Sequence, residues 1–337
     1  NIYFEERSRR VKIIKIRSNF NFFTFHFSSS IMQKIRNIFL KFLVKRKTFI
    51  HGYLGKIYKS QYPRQCISAD TFDFLLPLLW ETDKPLDPEG QRHFFEKKLL
   101  PEVGENRIIL GSWEGLGQQG TQSFLESMNR LKLVCGQCKL LVTVRNPITR
   151  LPSLYLQHLR GNQKQLADKF VTFEEWLQNQ KIKLGGLKQI FDYRSYIELA
   201  MTTLGPENVG VFLYEEFDSD PKKYLSSLSH FLNIDSETVI KLAEGERHHT
   251  RLFASQVRRM EAINTSIIGR LLWRFSSTTK KKQSIGFSDR EGIIESKVAQ
   301  DTPASIDLSP ELLKEIGTAA QADNRWLVKN VGLDLAK

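Results

Sequence analysis

Two short runs of apolar residues constrain the fold of this chain more than any other feature. Lys139–Val144 (KLLVTV) and Val209–Tyr214 (VGVFLY) lack the polar–apolar alternation of a half-exposed strand. A strand that is apolar throughout must be covered on both faces, the environment of an inner strand in a parallel sheet. Asn19–His26 (NFNFFTFH) and Arg107–Leu110 (RIIL) read as two further short strands. Helical patterns lie between and after them, at Ser68–Trp80, Asp87–Leu99, Gln119–Leu131, Arg150–Arg160, Phe173–Gln180, Asp192–Leu204 and Lys222–Leu232. Strands alternating with helices predict an α/β fold, a doubly wound, mostly parallel sheet flanked by helices. Ligands of such sheets sit beyond the carboxyl ends of the strands. The polar residues just past these strands are therefore the candidates: Ser28–Ser30, Glu114, Arg145 and Glu215.

Charge is unevenly spread. The chain of 337 residues has a net charge of +13. Residues 1–50 carry 12 Lys/Arg against 2 Asp/Glu, while the rest carries 38 against 35. One basic N-terminal segment thus makes a nearly neutral body basic. Residues 1–18 read as a basic arm without regular structure, and residues 19–337 as a single α/β domain. Within that domain, 19–48 form an atypical strand–loop–helix, with a basic amphipathic helix at Ile31–Lys45. Residues 245–300 read as substrate-side helices and loops, and Ser309–Ala322 and Asp323–Asn330 together as a closing helical segment. A basic arm can bind nucleic acid, but no recognition motif accompanies it, so nucleic acid is a secondary reading. Three cysteines point away from a disulfide framework and towards a reducing compartment, hence a cytoplasmic location. Cys135-Gly-Gln-Cys138 has C-x-x-C spacing but reads as two thiols in a loop before a strand. No run of 18 apolar residues predicts a membrane helix. Gly52-Tyr-Leu-Gly55-Lys56 is too short for a Walker A loop and Ile57 follows its lysine, so it reads as a turn. A nucleotide kinase of the P-loop type lacks its motif here.

The segment Val142–Gly161 (VTVRNPITRLPSLYLQHLRG) carries the most chemistry. A buried strand delivers Arg145 to the sheet edge. Pro147 is expected to delay the next helix, which places Ser153, eight residues after Arg145, near that helix's start. A forked guanidinium, a hydroxyl and helix-start N–H groups together suit a phosphate dianion. An arginine paired with a neighbouring carboxylate and a serine acting as a cap read equally well from the residues alone.

The same segment resembles the 3′-phosphate-binding motif of sulfotransferases that use 3′-phosphoadenosine 5′-phosphosulfate (PAPS). In that family an Arg ends a strand and a Ser eight residues later binds the same phosphate. Arg150 and Tyr155 also match. Asn208–Pro221 (NVGVFLYEEFDSDP), His230–Ile234 (HFLNI) and Arg107–Gly117 (RIILGSWEGLG) follow the family's pattern. Leu308–Leu312 and the Asp323-Asn324…Asp334-Leu335 tail resemble bacterial carbohydrate-type members. The likeness covers roughly residues 50–337. It implies a P-loop NTPase-like fold, PAPS as donor, adenosine 3′,5′-bisphosphate (PAP) as product, no metal, and a hydroxyl of a carbohydrate or other small molecule as acceptor. Arg145 and Ser153 take the 3′-phosphate in this reading, and Ser28, Ser29 and Ser30 stand at the 5′ end. Arg251, with Arg247, His248 and His249, falls in a cofactor-covering loop. Glu114 is the candidate catalytic base; His158, which reads as a helix-surface residue, and the His248–His249 pair are weaker ones.

The chain departs from the family at one place. The family opens with a P-K-x-G-T-T-like loop, whose lysine and backbone N–H groups hold the 5′-phosphosulfate. The counterpart here, Phe25–Gln33 (FHFSSSIMQ), has neither the lysine nor the glycine, and Lys34 and Arg36 fall in the following helix. Three readings result: an active sulfotransferase, an impaired PAP-binding member, or a nucleic-acid-binding protein that uses its basic arm.

Overall fold

The computed structural model describes residues 21–26, 50–52, 69–99, 109–113, 116, 120–161, 171–243, 252–265, 268 and 302–336. In chain order these form β1 (Asn21–His26), β2 (Ile50–Gly52), α1 (Ala69–Leu79) and α2 (Pro88–Phe94), which runs on as a π-helical turn over Phe95–Leu99. Next come β3 (Ile109–Trp113), α3 (Thr121–Cys135), β4 (Cys138–Val144), α4 (Pro147–Gly161), α5 (Phe173–Leu184), α6 (Leu187–Ile190) and α7 (Tyr193–Leu204). The remainder is β5 (Val209–Leu213), α8 (Tyr214–Ser219), α9 (Pro221–Leu232), α10 (Ser236–Ala243), α11 (Ala254–Thr265) and α12 (Pro310–Val331).

The five strands form one sheet in the order β2-β3-β1-β4-β5. Every pairing is parallel. The α/β class and the parallel sheet are thus as expected. β4 alternates between two apolar layers: Leu140, Val142 and Val144 join one buried cluster and Leu141 the other. β5 repeats this, with Val209 and Leu213 in the first cluster and Phe212 in the second. That period of two, apolar on both sides, is why these runs show no polar alternation.

The chain divides into two compact units. The first comprises residues 1–146, 193–246 and 323–337, and holds the whole sheet; the second comprises 147–192 and 247–322. The second has its own core, in which Tyr155, Phe173 and Trp176 pack their rings together beside Leu151, Ile190 and Ile316.

Local chemistry sets the element ends. Asp220 accepts a hydrogen bond from Lys223 N–H at 3.0 Å and Pro221 opens α9, which closes on Asn233 in the left-handed region at φ 54°. Thr172 and Glu175 form a reciprocal capping box on α5. In the first unit Arg130 of α3 ties down the end of α1. Its Nη atoms donate to the carbonyls of Pro77, Glu81, Thr82 and Lys84 at 2.7–3.0 Å, and its Nε to Glu126 at 2.6 Å.

Several expectations shift. β3 is Ile109–Trp113, not Arg107–Leu110, because pairing with β1 and β2 carries Gly111-Ser112-Trp113 into the sheet. Gly52, read as part of a turn, ends the edge strand β2. The closing helical segment is, as expected, one helix, α12. Cys135 ends α3 and Cys138 opens β4, so the thiols flank a two-residue turn rather than sit in a loop; both are free and buried. Among the described residues no helix is long and apolar enough to cross a membrane.

Candidate functional site

The sheet order locates the site before any side chain is considered. From β1 the chain moves to β2, on one side, and from β4 it moves to β5, on the other. The crevice beyond the carboxyl ends of β1 and β4 is therefore the point where the strand order reverses, the usual ligand position in such sheets. The register keeps the ends level. His26 of β1 pairs with Thr143 of β4, and Phe25 with Trp113 of β3. Arg145 is the first residue past β4 at this edge.

Arg145 is only 4% exposed. Its Nε lies 3.9 Å from Glu215 Oε1, and its guanidinium stacks 4.3 Å from the Tyr214 ring centre. Tyr214 and Glu215 open α8, directly after β5, whose Leu213 pairs with Val144. The two neighbouring strands thus bring together a cation, a carboxylate and an aromatic face. Both Glu215 oxygens accept from Asn146 N–H at 3.2 Å. Behind them Tyr193, with no exposed surface, grips the Arg145 backbone. Its hydroxyl donates to the Arg145 carbonyl at 2.9 Å and accepts from the Arg145 N–H at 3.2 Å.

Ser153 requires a correction. Pro147 does not delay the helix; it starts it, and α4 runs from Pro147 to Gly161. Proline fits the first helical position, because its fixed φ suits the helix and no N–H partner is needed there. Ser153 is thus nearly two turns inside α4, beyond the four N–H groups that a helix leaves open. It is half-buried and retains its hydroxyl, but the helix-start N–H groups expected beside it lie earlier. Arg145 belongs to the first unit and Ser153 to the second.

Other matched residues of the second unit have structural work. Arg150 is buried and donates from Nη1 to the Ile190 carbonyl at 2.6 Å. The Tyr155 hydroxyl donates to the Val171 carbonyl at 2.9 Å, and burial pushes its pKa up to about 12. His158 is half-buried rather than on the surface; its ring lies 6.4 Å from Trp176, and burial lowers its pKa. Ser28, Ser29, Ser30, Glu114, Arg247, His248, His249 and Arg251 lie outside the described residues, as do the arm 1–18 and the helix expected at 31–45.

Sequence reasoning found Arg145 and flagged Glu215 as strand-end residues. It missed Tyr193, which is 48 residues from Arg145 in sequence and opens α7, after α4–α6 in the chain. No local signal ties the two.

Residues 124–282 match the family model described as the sulfotransferase domain. Among solved structures, a sulfotransferase from Alicyclobacillus acidocaldarius aligns at 17% identity, covering 78% of this chain and 98% of that one, with a TM-score of 0.40. A mouse sulfotransferase complexed with PAP aligns at 10% identity over 91% of this chain and 84% of its own, with a TM-score of 0.42. Retinol dehydratase in complex with retinol and PAP aligns at 14% identity over 92% and 81%, with a TM-score of 0.40. No curated protein sequence matches the chain.

Proposed function

We propose that this chain, whose residues 124–282 match the sulfotransferase-domain family model, transfers a sulfuryl group from PAPS to a hydroxyl of a carbohydrate or other small acceptor. The observation that carries the reading is Arg145, a buried cation at the carboxyl edge of β4, at the reversal of the strand order and inside the matched segment. A buried guanidinium needs anionic partners. The Glu215 carboxylate accepts from Asn146 N–H at 3.2 Å and lies 3.9 Å from Arg145 Nε. A 3′-phosphate fits that environment, since a forked guanidinium suits a dianion.

PAPS, when bound, supplies an activated sulfuryl group and leaves as PAP. The chain's own residues then divide the remaining work. Arg145 holds the 3′-phosphate; the resemblance assigns Ser153 to the same phosphate, and Arg251 to that phosphate or to an anionic acceptor. Ser28, Ser29 and Ser30, the serines after β1 in the sequence, are assigned to the 5′ end, where their hydroxyls would serve. Glu114 follows β3, the other neighbour of β1, and takes the proton from the acceptor hydroxyl as its oxygen bonds to sulfur. The reaction is assigned to the cytoplasm on the cysteine content.

A second reading, a PAP-binding member without turnover, is favoured by one observation: Phe25–Gln33 lacks the lysine and glycine of the 5′-phosphosulfate loop. Calorimetric titration with PAP tests what the two readings share. Arg145→Ala should weaken PAP binding at least tenfold, and unchanged affinity would sink the 3′-phosphate assignment. Turnover of PAPS over a panel of hydroxyl acceptors then separates enzyme from binder. The basic-arm reading predicts nucleic-acid affinity that disappears when residues 1–18 are deleted.

A further inference from the structure

We infer that Tyr193 and Asp323 are positioning residues for Arg145, so that the C-terminal tail helps to set the nucleotide site. This rests on the proposed role of Arg145 and extends it to residues with no part in the resembling motif around it.

The link runs through three contacts, all within the first unit. Asp323 is 4% exposed, and its carboxylate accepts from Arg194 N–H at 3.1 Å, in the first turn of α7. A carboxylate there satisfies an open N–H group and complements the positive end of the helix. It holds the start of α7, where Tyr193 is the first residue. The Tyr193 hydroxyl then contacts both backbone groups of Arg145. The N–H belongs to the peptide plane before Arg145 and the carbonyl to the plane after it. Holding both planes fixes the two dihedrals of Arg145 and therefore the direction in which its side chain leaves the backbone. The β4 strand itself ends one residue earlier, at Val144.

Asp323 is itself anchored in the tail. Asn324 donates from Nδ2 to Asp334 at 2.9 Å and accepts from Leu335 N–H at 2.7 Å. Leu327 and Leu335 are buried in the cluster that also contains Tyr193 and Val144. The tail motif that resembles bacterial carbohydrate-type members thus acquires a physical role: it closes over the core and presents one carboxylate to the helix that orients Arg145.

The test is titration calorimetry of the full chain with PAP and, separately, with adenosine 5′-phosphate, which lacks the 3′-phosphate. Tyr193→Phe removes both hydrogen bonds and keeps the ring. It should weaken PAP roughly tenfold and leave adenosine 5′-phosphate unchanged. Asp323→Ala should act in the same direction, and it carries the test alone if a circular-dichroism melt shows Tyr193→Phe unfolded. In an Arg145→Ala background, neither change should weaken PAP further. If Arg145→Ala weakens PAP but the positioning variants do not, or if they weaken both ligands equally, the positioning role is overturned and the 3′-phosphate assignment stands. If Arg145→Ala leaves PAP affinity unchanged, the assignment itself fails and takes this inference with it.

Discussion

Arg130, Arg145 and Arg150 are all buried, and the groups around them separate their roles. Arg130 donates to four carbonyls and a carboxylate, and Arg150 reaches the Ile190 carbonyl, so both join parts of their own unit. Arg145 instead meets a carboxylate at 3.9 Å and an aromatic face, at the edge where ligands of this fold sit. Substitutions should separate these classes. Arg130→Ala leaves carbonyls at the end of α1 without their donors and should cost about 3 kcal/mol or more in urea denaturation. Arg145→Lys keeps the charge but loses the fork and the flat stacking surface. It should lower PAP affinity about tenfold while moving the urea midpoint little, and a large midpoint shift would reclassify Arg145 as a structural residue.

At the scale of elements, β5 and α9 meet through Gly210. A Cβ there would lie 2.7 Å from the Phe231 ring and 2.8 Å from Phe212. Gly210→Ala should therefore destabilise the chain by about 1–3 kcal/mol through overpacking, read as a lower urea midpoint. β4 and β5 were legible in the sequence because both of their faces are apolar, which leaves a continuous run. Most helices were legible to within a few residues from their amphipathic spacing. The misreadings have physical causes. Pro147 was read as a stop, but at a helix start it is a favourable first residue. β2 has three residues, too few for any pattern to register. At the site, Arg145 and Glu215 could be found because each stands just past a strand. Tyr193 could not, because its bond to Arg145 exists only once α7 packs on the sheet.

For the whole molecule, the two buried thiols predict a response to alkali. Burial pushes Cys138 from 9.0 up to about 12, and Cys135 also well above its ordinary value. Unfolding lets both ionise near the ordinary value, whereas the folded chain keeps them protonated. Their contribution is therefore complete below about pH 9 and is lost progressively as pH rises towards 12. The urea midpoint should fall across this range, and Cys135→Ala/Cys138→Ala should flatten the fall. The division into units has a further consequence. The first is assembled from three stretches of chain and the second from two, so the chain passes from one to the other four times. No single cut in the gene releases either unit intact. A recombination event that replaced residues 147–192 alone would break the second unit's core, which also draws on residues from 247–322, so inheritance should favour exchanging the two stretches together.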